Sequence, residues 1–165
     1  MPSNLLKIYN QKLDLLYMGE IDNLRSIRAV FNRDFQGFLN LSFAGFAIKP
    51  TTAMGEDAMD RLFRHLTTVV TDHKTRKREF ESERSIRIHW IRHHFEKIQH
   101  QLLVFSVEDE RRAYVLDRNE RHVIVLEPLR QEKSFFLLSA YYLQPASYKA
   151  ILTKYEKRGK DGIVY

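Results

Sequence analysis

The sequence predicts an α+β fold in which helical segments precede a helix, a four-stranded antiparallel meander and a closing helix. The first indication is a change in hydrophobic period. Apolar residues recur every three to four positions over residues 82–102 and every second position in the runs that follow. The second is the short polar connectors between the β-rich runs, which favour hairpins. The third is Pro145, a residue suited to open the final amphipathic helix.

Four elements are predicted in the first half of the chain. Residues 5–17 carry a mixed apolar pattern that fits a helix or the approach to a strand. Residues 21–31 keep the spacing of a helix, and the aromatic segment 38–48 predicts a strand or an irregular core segment that Pro50 ends. A second helix is predicted over residues 51–70.

Residues 72–83 are the best candidate for a linker or exposed loop, because polar and charged side chains crowd them. We place a boundary near residue 78. It separates a mostly helical region of unknown role, residues 1–77, from a second region, residues 78–165, and the chain length favours packing of both as one compact unit.

A capped helix and four strands are predicted in the second half. Ser82 can cap a helix whose apolar residues continue to Leu102. The β-rich runs cover residues 102–107, 112–116, 122–126 and 135–143.

Composition excludes several classes of function. The chain has 27 Lys and Arg against 21 Asp and Glu, a formal charge of +6, which favours a polyanionic partner such as RNA. It has no cysteine, so thiolate metal sites and cysteine nucleophiles are excluded. No signal-peptide pattern opens it and no apolar run approaches the ~18 residues of a membrane span, so we expect a cytoplasmic protein, including one delivered to a target cell's cytoplasm.

Histidines make residues 84–96 unusual. On one continuous helix, His89, His93, Glu96 and His100 would form a stripe opposite the apolar face. A His pair four residues apart could chelate a metal ion. The stripe lacks the Glu that follows the first His in the metalloprotease motif, so we interpret it as a solvated face and expect neither a metal nor another cofactor.

Arg84 and Arg87 lie at the start of the same predicted helix and should point toward the end of the sheet. A guanidinium there can hold a phosphate through two hydrogen bonds and stabilise the charge that grows on it during cleavage of RNA. The alternative is an ordinary ion pair with Glu81 or Glu83.

Polar side chains recur at alternate positions of the predicted strands. Ser139 and Tyr141 share one face of the last strand, Arg112 and Tyr114 share one face of the second, and His122 begins the third. If these faces coincide, one open surface combines phosphate binding with general acid–base groups. A half-buried aromatic face is the alternative.

Cleavage of RNA needs no metal when the neighbouring 2′-hydroxyl is the nucleophile. A base removes its proton, a cation stabilises the pentavalent phosphate and an acid protonates the leaving oxygen, and His, Arg and Tyr can fill these roles. The chain has neither a glycine-rich phosphate loop nor a Gly-x-Ser-x-Gly elbow.

Two motifs flank the predicted meander. A pattern Arg-x-x-Arg-x-x-Trp-Ile-Arg precedes it, formed by Arg84, Arg87, Trp90, Ile91 and Arg92, and Phe-Leu-Leu-Ser-Ala-Tyr-Tyr, residues 136–142, precedes the terminal helix. Over about residues 78–158, this order of motifs resembles the prophage-associated branch of the barnase–EndoU–colicin–RelE superfamily.

The resemblance implies a metal-independent ribonuclease, often a toxin held in check by an immunity or antitoxin protein. It assigns catalytic roles to Arg87, Ser139 and Tyr141, with Ser139 where the family pattern has Thr. The residue pattern of the predicted helix adds His89 as a catalytic residue. The residues expected to bind RNA are Arg84, Arg92, Arg112 and Tyr114.

Two other functions remain open. One is a non-catalytic RNA- or protein-binding accessory protein of a phage or prophage. The other is a helical ribonuclease with an Arg-x(4–6)-His motif, which the pairs Arg84/His89, Arg87/His93 and Arg87/His94 match. Such ribonucleases are all-helical bundles, and the β-rich second half argues against this class.

Overall fold

The computed structural model describes residues 3–15, 19–36, 41–97 and 102–159. The described helices are α1 Glu20–Phe35, α2 Ala58–Thr67, α3 Ser82–Ser85, α4 Trp90–Glu96 and α5 Pro145–Glu156. The described strands are β1 Ser42–Phe43, β2 Phe46–Pro50, β3 Thr68–Asp72, β4 Lys77–Phe80, β5 Leu102–Val107, β6 Arg112–Asp117, β7 His122–Leu129 and β8 Ser134–Tyr142.

The main sheet has six strands in the order β1-β2-β8-β7-β6-β5. Strands β5 to β8 pair antiparallel with their neighbours in sequence, whereas β2 pairs parallel with β8. The α+β class is therefore confirmed, but the sheet is mixed and larger than the predicted four-stranded meander. The two additional strands come from the first half of the chain, and β2 pairs with the Ser134 to Leu137 half of β8.

Tight connections hold the meander together. Each of its three turns contains one residue in the left-handed backbone region, namely Arg111, Arg121 and Lys133. In the β6–β7 turn the Asp117 carboxylate also accepts hydrogen bonds from the backbone N–H groups of Asn119 and Glu120. A short polar side chain that bonds its own turn fixes a hairpin without help from distant residues.

The alternation of the strands divides the sheet into two faces. The back face packs against α1, α2 and α4, and the front face packs against α5. Back-face core residues of β6 to β8 include Ala113, Val115, Ile124, Leu126, Leu137 and Ala140. Front-face residues include Tyr114, Leu116, Val123, Val125 and Tyr141.

The first half contains one confirmed helix and one that is shorter than predicted. The helix predicted over residues 21–31 is α1. The second begins at Ala58, capped by the Asp57 side chain, and ends at Thr67. The β-branched residues that follow form β3, because such side chains favour the extended backbone. The predicted linker is consequently a hairpin, β3 and β4 joined by turn residues 73–76.

The continuous helix predicted from Ser82 to Leu102 is wrong. Turns at residues 86–89 separate α3 from α4, and α4 ends at Glu96. Glu81 rather than Ser82 caps α3, through hydrogen bonds from the N–H groups of Glu83 and Arg84. Side chains on the two sides of this break therefore do not follow one helical stripe.

Some predicted segments lie partly outside the described residues. They include residues 16–18, residues 37–40 and His100 of the proposed histidine stripe. Within the described ranges, no helix has the length and apolarity required to cross a membrane.

Candidate functional site

Helix α5 crosses the front face but leaves part of β6, β7 and β8 open. A cavity of about 290 Å³ remains between the sheet and the helix. Its polar lining combines residues of two strands with two from α5: Arg112, Tyr114, Tyr141, Ser147 and Lys154. A second cavity of about 330 Å³ adjoins the first, and Arg112 lines both. Glu127 and Arg130 belong to the lining of the second cavity.

One end of this surface is built around Lys154. Its ammonium group donates to both carboxylate oxygens of Glu110 at 2.8 Å, and the Tyr114 hydroxyl donates to Glu110 at 2.5 Å. The hydrogen bond from Lys154 is the main cause that lowers the pKa of Glu110. Burial opposes the charge on Lys154, but its bonds to Glu110 and Tyr114 raise its pKa overall. Lys154 is thus a fixed cation at neutral pH.

Arg84 forms the other end. Its Nη1 donates to the carbonyl oxygens of His65 and Thr68 at 2.9 and 3.1 Å and to the Ser139 hydroxyl at 3.1 Å. Its guanidinium carbon lies 5.3 Å from the centre of the Tyr141 ring. Because β2 pairs only with the first half of β8, α3 can cover the remaining edge and bring Arg84 to it.

Tyr141 connects the two ends. Burial raises the pKa of its hydroxyl, and the charges of Arg84, Lys154 and Glu110 all act on it. Within the part of the chain that the structure describes, no hydrogen bond is made to this hydroxyl. We call the set Arg84, Arg112, Tyr114, Ser139, Tyr141 and Lys154 the front-face site.

Arg112 completes the positive lining of the site. It donates to Glu127 at 2.6 Å, and both side chains remain about one-third exposed, at 36% and 35%. Tyr114 is only 4% exposed and its ring stacks on Phe105, so it positions Lys154 and Glu110 instead of presenting a ring to a ligand.

The structure brings five of the predicted site residues to one surface, Arg84, Arg112, Tyr114, Ser139 and Tyr141, and places the other three elsewhere. Arg87 is 3% exposed on the back face, where it pairs with Glu83 at 2.8 Å and stacks on Tyr142. The sequence predicts that Arg84 and Arg87 point toward the same surface. In the structure they do not, because the break after α3 places them on opposite faces of β8. For Arg87 the ion-pair alternative holds.

His89 and Arg92 also lie behind the sheet. His89 is 4% exposed and its Nε2 lies 3.3 Å from the carbonyl oxygen of Ile8. The prediction that it occupies a solvated helix face is therefore wrong. Arg92 pairs with Glu96 at 2.6 Å and donates to the carbonyl oxygen of Asp34.

His89 belongs to a buried group that we call the back-face histidine cluster: His89, Trp90, His94, Asp117 and His122. The rings of His94 and His122 lie 5.7 Å apart, and His94 Nε2 lies 3.5 Å from the Asp117 carboxylate. Burial lowers the pKa of His94 to about 4. Burial is also the main cause that lowers the pKa of His122 well below its usual range, and His94 acts in the same direction. These imidazoles are neutral at neutral pH.

The N-terminal segment closes this cluster. The hydroxyl of Tyr9 donates to Asp117, and its ring stacks on His93 at 4.2 Å. The indole N–H of Trp90 donates to the carbonyl oxygen of Gln11. Among the described residues, no three His, Asp or Glu side chains are arranged to hold a metal ion.

Sequence reasoning missed Lys154 and Glu110. The signal for Lys154 is its spacing with Ser147 and Ile151, which places all three on the sheet-facing side of α5. Glu110 precedes β6 in a short 3₁₀ turn, and no local pattern marks it.

Comparison with protein-family models, with curated proteins and with solved structures finds no match for this chain. A functional assignment must therefore start from the site.

Proposed function

We propose that the protein is an endoribonuclease that cleaves RNA at the front-face site by attack of the 2′-hydroxyl, without a metal. The observation that supports this most strongly is the approach of Arg84 to both Ser139 and Tyr141, on a surface that also carries Lys154 and Arg112. Cations around hydroxyl groups on a half-open sheet suit a phosphodiester better than a neutral substrate.

Arg84 is the cation that we assign to the scissile phosphate. Its hydrogen bonds to described residues are all made by Nη1, so Nη2 remains as a donor for a ligand. A guanidinium fixed by protein carbonyls needs no reorganisation when negative charge grows on the phosphate. Lys154 adds a second positive charge that acts on Tyr141.

The proton transfers fall to Tyr141 of the front-face site and to Glu127, which pairs with Arg112 at the edge of that site. The Glu127 carboxylate accepts the proton of the 2′-hydroxyl as the 2′-oxygen bonds to phosphorus. The bond from phosphorus to the 5′-oxygen breaks, and Tyr141 donates its proton to that leaving oxygen. The products are a 2′,3′-cyclic phosphate and a 5′-hydroxyl end. Glu127 is preferred over Glu110, because Lys154 and Tyr114 already occupy both oxygens of Glu110.

A second function is favoured by the position of His89. The imidazole expected to take part in the reaction is buried behind the sheet, and neither described front-face cavity is lined by a histidine. A protein that binds RNA at the same cations without cleaving it would fit this arrangement, and it would show salt-sensitive binding without turnover.

Incubation of the purified protein with total RNA and tRNA in EDTA separates the two functions. We expect fragments that end in a 2′,3′-cyclic phosphate, and a rate reduced about 10²-fold in Tyr141→Phe. Tyr142→Phe is the matched control, because Tyr142 is the next residue of β8 but lies on the back face against Arg87. RNA that stays intact, or equal rates in the two variants, would contradict the proposed cleavage, and intact RNA that is nevertheless bound would support the non-catalytic function.

A further inference from the structure

The hairpin of β3 and β4 stands apart from the main sheet as a separate two-stranded sheet. Its turn, residues 73–76, is exposed throughout. The Asp72 carboxylate accepts hydrogen bonds from the N–H groups of Lys74 and Thr75, and Arg76 adopts a left-handed backbone with φ 59°. The turn therefore has a defined shape. We call residues 68–80 the arm.

The arm concentrates positive charge. Residues 73–78 contain four cations and no carboxylate: Lys74, Arg76, Lys77 and Arg78. Glu79 pairs with Lys77 at 2.7 Å, and the Asp72 carboxylate is bound to the turn. Isolated two-stranded hairpins are only marginally stable in water, and like charges weaken them further. We therefore expect the arm to be stabilised when it binds a polyanion.

The root of the arm touches the front-face site. Arg78 donates to the hydroxyl and the carbonyl oxygen of Thr68 at 2.8 and 3.0 Å. Arg84 donates to the same carbonyl oxygen at 3.1 Å. Two guanidinium groups thus meet at one backbone atom, one from the arm and one from the site.

Further arginines lie near this root, and two of them, Arg61 and Arg64, pair with Glu56. Burial and the charges of Arg78, Arg61 and Arg64 lower the pKa of His65 to about 4, although Glu56 acts in the opposite direction. An RNA strand whose phosphate is bound at Arg84 would pass these arginines before it reaches the exposed cations of the turn.

We propose that the arm binds the RNA backbone outside the scissile phosphate, so that the substrate is an extended strand and not a di- or trinucleotide. The inference rests on the proposed function for the position of the scissile phosphate. A five-residue strand extends ~16 Å at ~3.3 Å per residue, enough to follow several phosphates. Phosphodiesters are the matching ligand because they offer a row of single negative charges at regular spacing.

Fluorescence anisotropy with 2′-O-methyl oligonucleotides, which the enzyme cannot cleave, tests the arm by binding alone. The variant combines Lys74→Gln, Arg76→Gln and Lys77→Gln. The control removes the same charge from three exposed residues away from the arm and the front-face site, by Lys12→Gln, Arg25→Gln and Arg118→Gln.

For an oligonucleotide of about twelve nucleotides, we expect the arm variant to bind about tenfold more weakly and the slope of log affinity against log salt to fall by about 2. Binding of a trinucleotide should change no more than in the control. Twelve-nucleotide affinity that matches the control would overturn the proposal and assign the arm's charge to another partner, such as an acidic protein.

Cleavage assays on the same samples keep the two proposals separate. If the wild type cleaves RNA and the arm variant binds the long oligonucleotide normally, the arm proposal fails and the ribonuclease proposal stands. If the arm is needed for binding but no RNA is cleaved, the arm proposal stands and the ribonuclease proposal fails.

Discussion

The front-face site and the back-face histidine cluster lie on opposite faces of one sheet and differ in what covers them. They share β6, which carries Tyr114 on the front and Asp117 on the back. On β8, Tyr141 belongs to the front-face site, and the next residue, Tyr142, pairs with His122 of the cluster. Behind the sheet, α4 and the N-terminal segment exclude water, and both His94 and Asp117 have no exposed side-chain surface. In front, α5 covers the sheet only in part, and Arg112 and Lys154 keep 36% and 38% of their side-chain surface.

This difference determines which residues can react. The back face has the more reactive side chains, three imidazoles and a carboxylate. Burial keeps these imidazoles neutral and prevents a ligand from reaching them. The front face has no imidazole in its described cavities, yet its cations stay charged and reachable. Access, more than residue type, therefore identifies the candidate site.

The largest expected effect on kcat is found when an arginine on the front face is replaced by lysine and compared with the same replacement on the back face. Arg84→Lys retains a charge but loses the fork that holds Ser139, so we expect kcat for RNA cleavage to fall about 10²-fold. Arg87→Lys should leave kcat within about threefold, because Arg87 faces Tyr142 and Glu83. Initial rates and thermal unfolding of both variants provide the check. A loss of kcat in Arg87→Lys without a loss of stability would reverse the assignment of the faces.

The next effect is an acid-dependent loss of stability that originates in the back-face histidine cluster. Burial lowers the pKa of His94 from 6.5 to about 4, so the unfolded chain binds more protons than the folded protein between these values. Stability from this group is complete above about pH 6.5 and falls as the pH decreases toward about 4. We expect His94 alone to remove about 2 kcal/mol from the free energy of unfolding between about pH 7 and pH 5.

Urea unfolding across this pH range measures the effect. His94→Gln should flatten the dependence, whereas His73→Gln, in the exposed turn of the arm, should keep it. A wild-type stability that is the same at both ends of the range would show that the cluster is not closed to water.

The smallest of the three effects concerns the N-terminal segment that closes the cluster. Tyr9→Phe removes the hydroxyl that donates to buried Asp117 and keeps the ring that stacks on His93. We expect a loss of about 1.5 kcal/mol in the free energy of unfolding, with RNA cleavage unchanged. Tyr148→Phe is the control, since Tyr148 packs on the front side beneath Arg121. A larger loss of cleavage than of stability would mean that the segment contributes to the reaction.

The parts of the fold that local patterns determine could be predicted from the sequence. The meander follows from period-two runs and short turns, and α1 follows from its apolar spacing. The pairing of β2 with β8 could not be predicted, because it joins Ala47 to Ser134, residues that are far apart in the sequence. The strand β3 had a local signal in its β-branched residues, but the longer apolar pattern before it favoured a helix.

The candidate site was predicted in part for the same reason. Alternation along a strand correctly grouped Ser139 with Tyr141 and Arg112 with Tyr114. The position of Arg87 depended on the turns at residues 86–89, where the apolar spacing fits a continuous helix equally well. The spacing of Lys154 with Ser147 and Ile151 marks the sheet-facing side of α5, but no local pattern specifies which strands that side meets.

A ligand is expected to meet the front face of the sheet and not the back. Fluorotyrosine NMR of the protein during titration with a 2′-O-methyl oligonucleotide tests it directly, with signals assigned by single Tyr→Phe variants. We expect the Tyr141 resonance to shift until binding saturates, while the resonances of Tyr142 and Tyr9 stay in place. Shifts of Tyr142 or Tyr9 with an unmoved Tyr141 would contradict it.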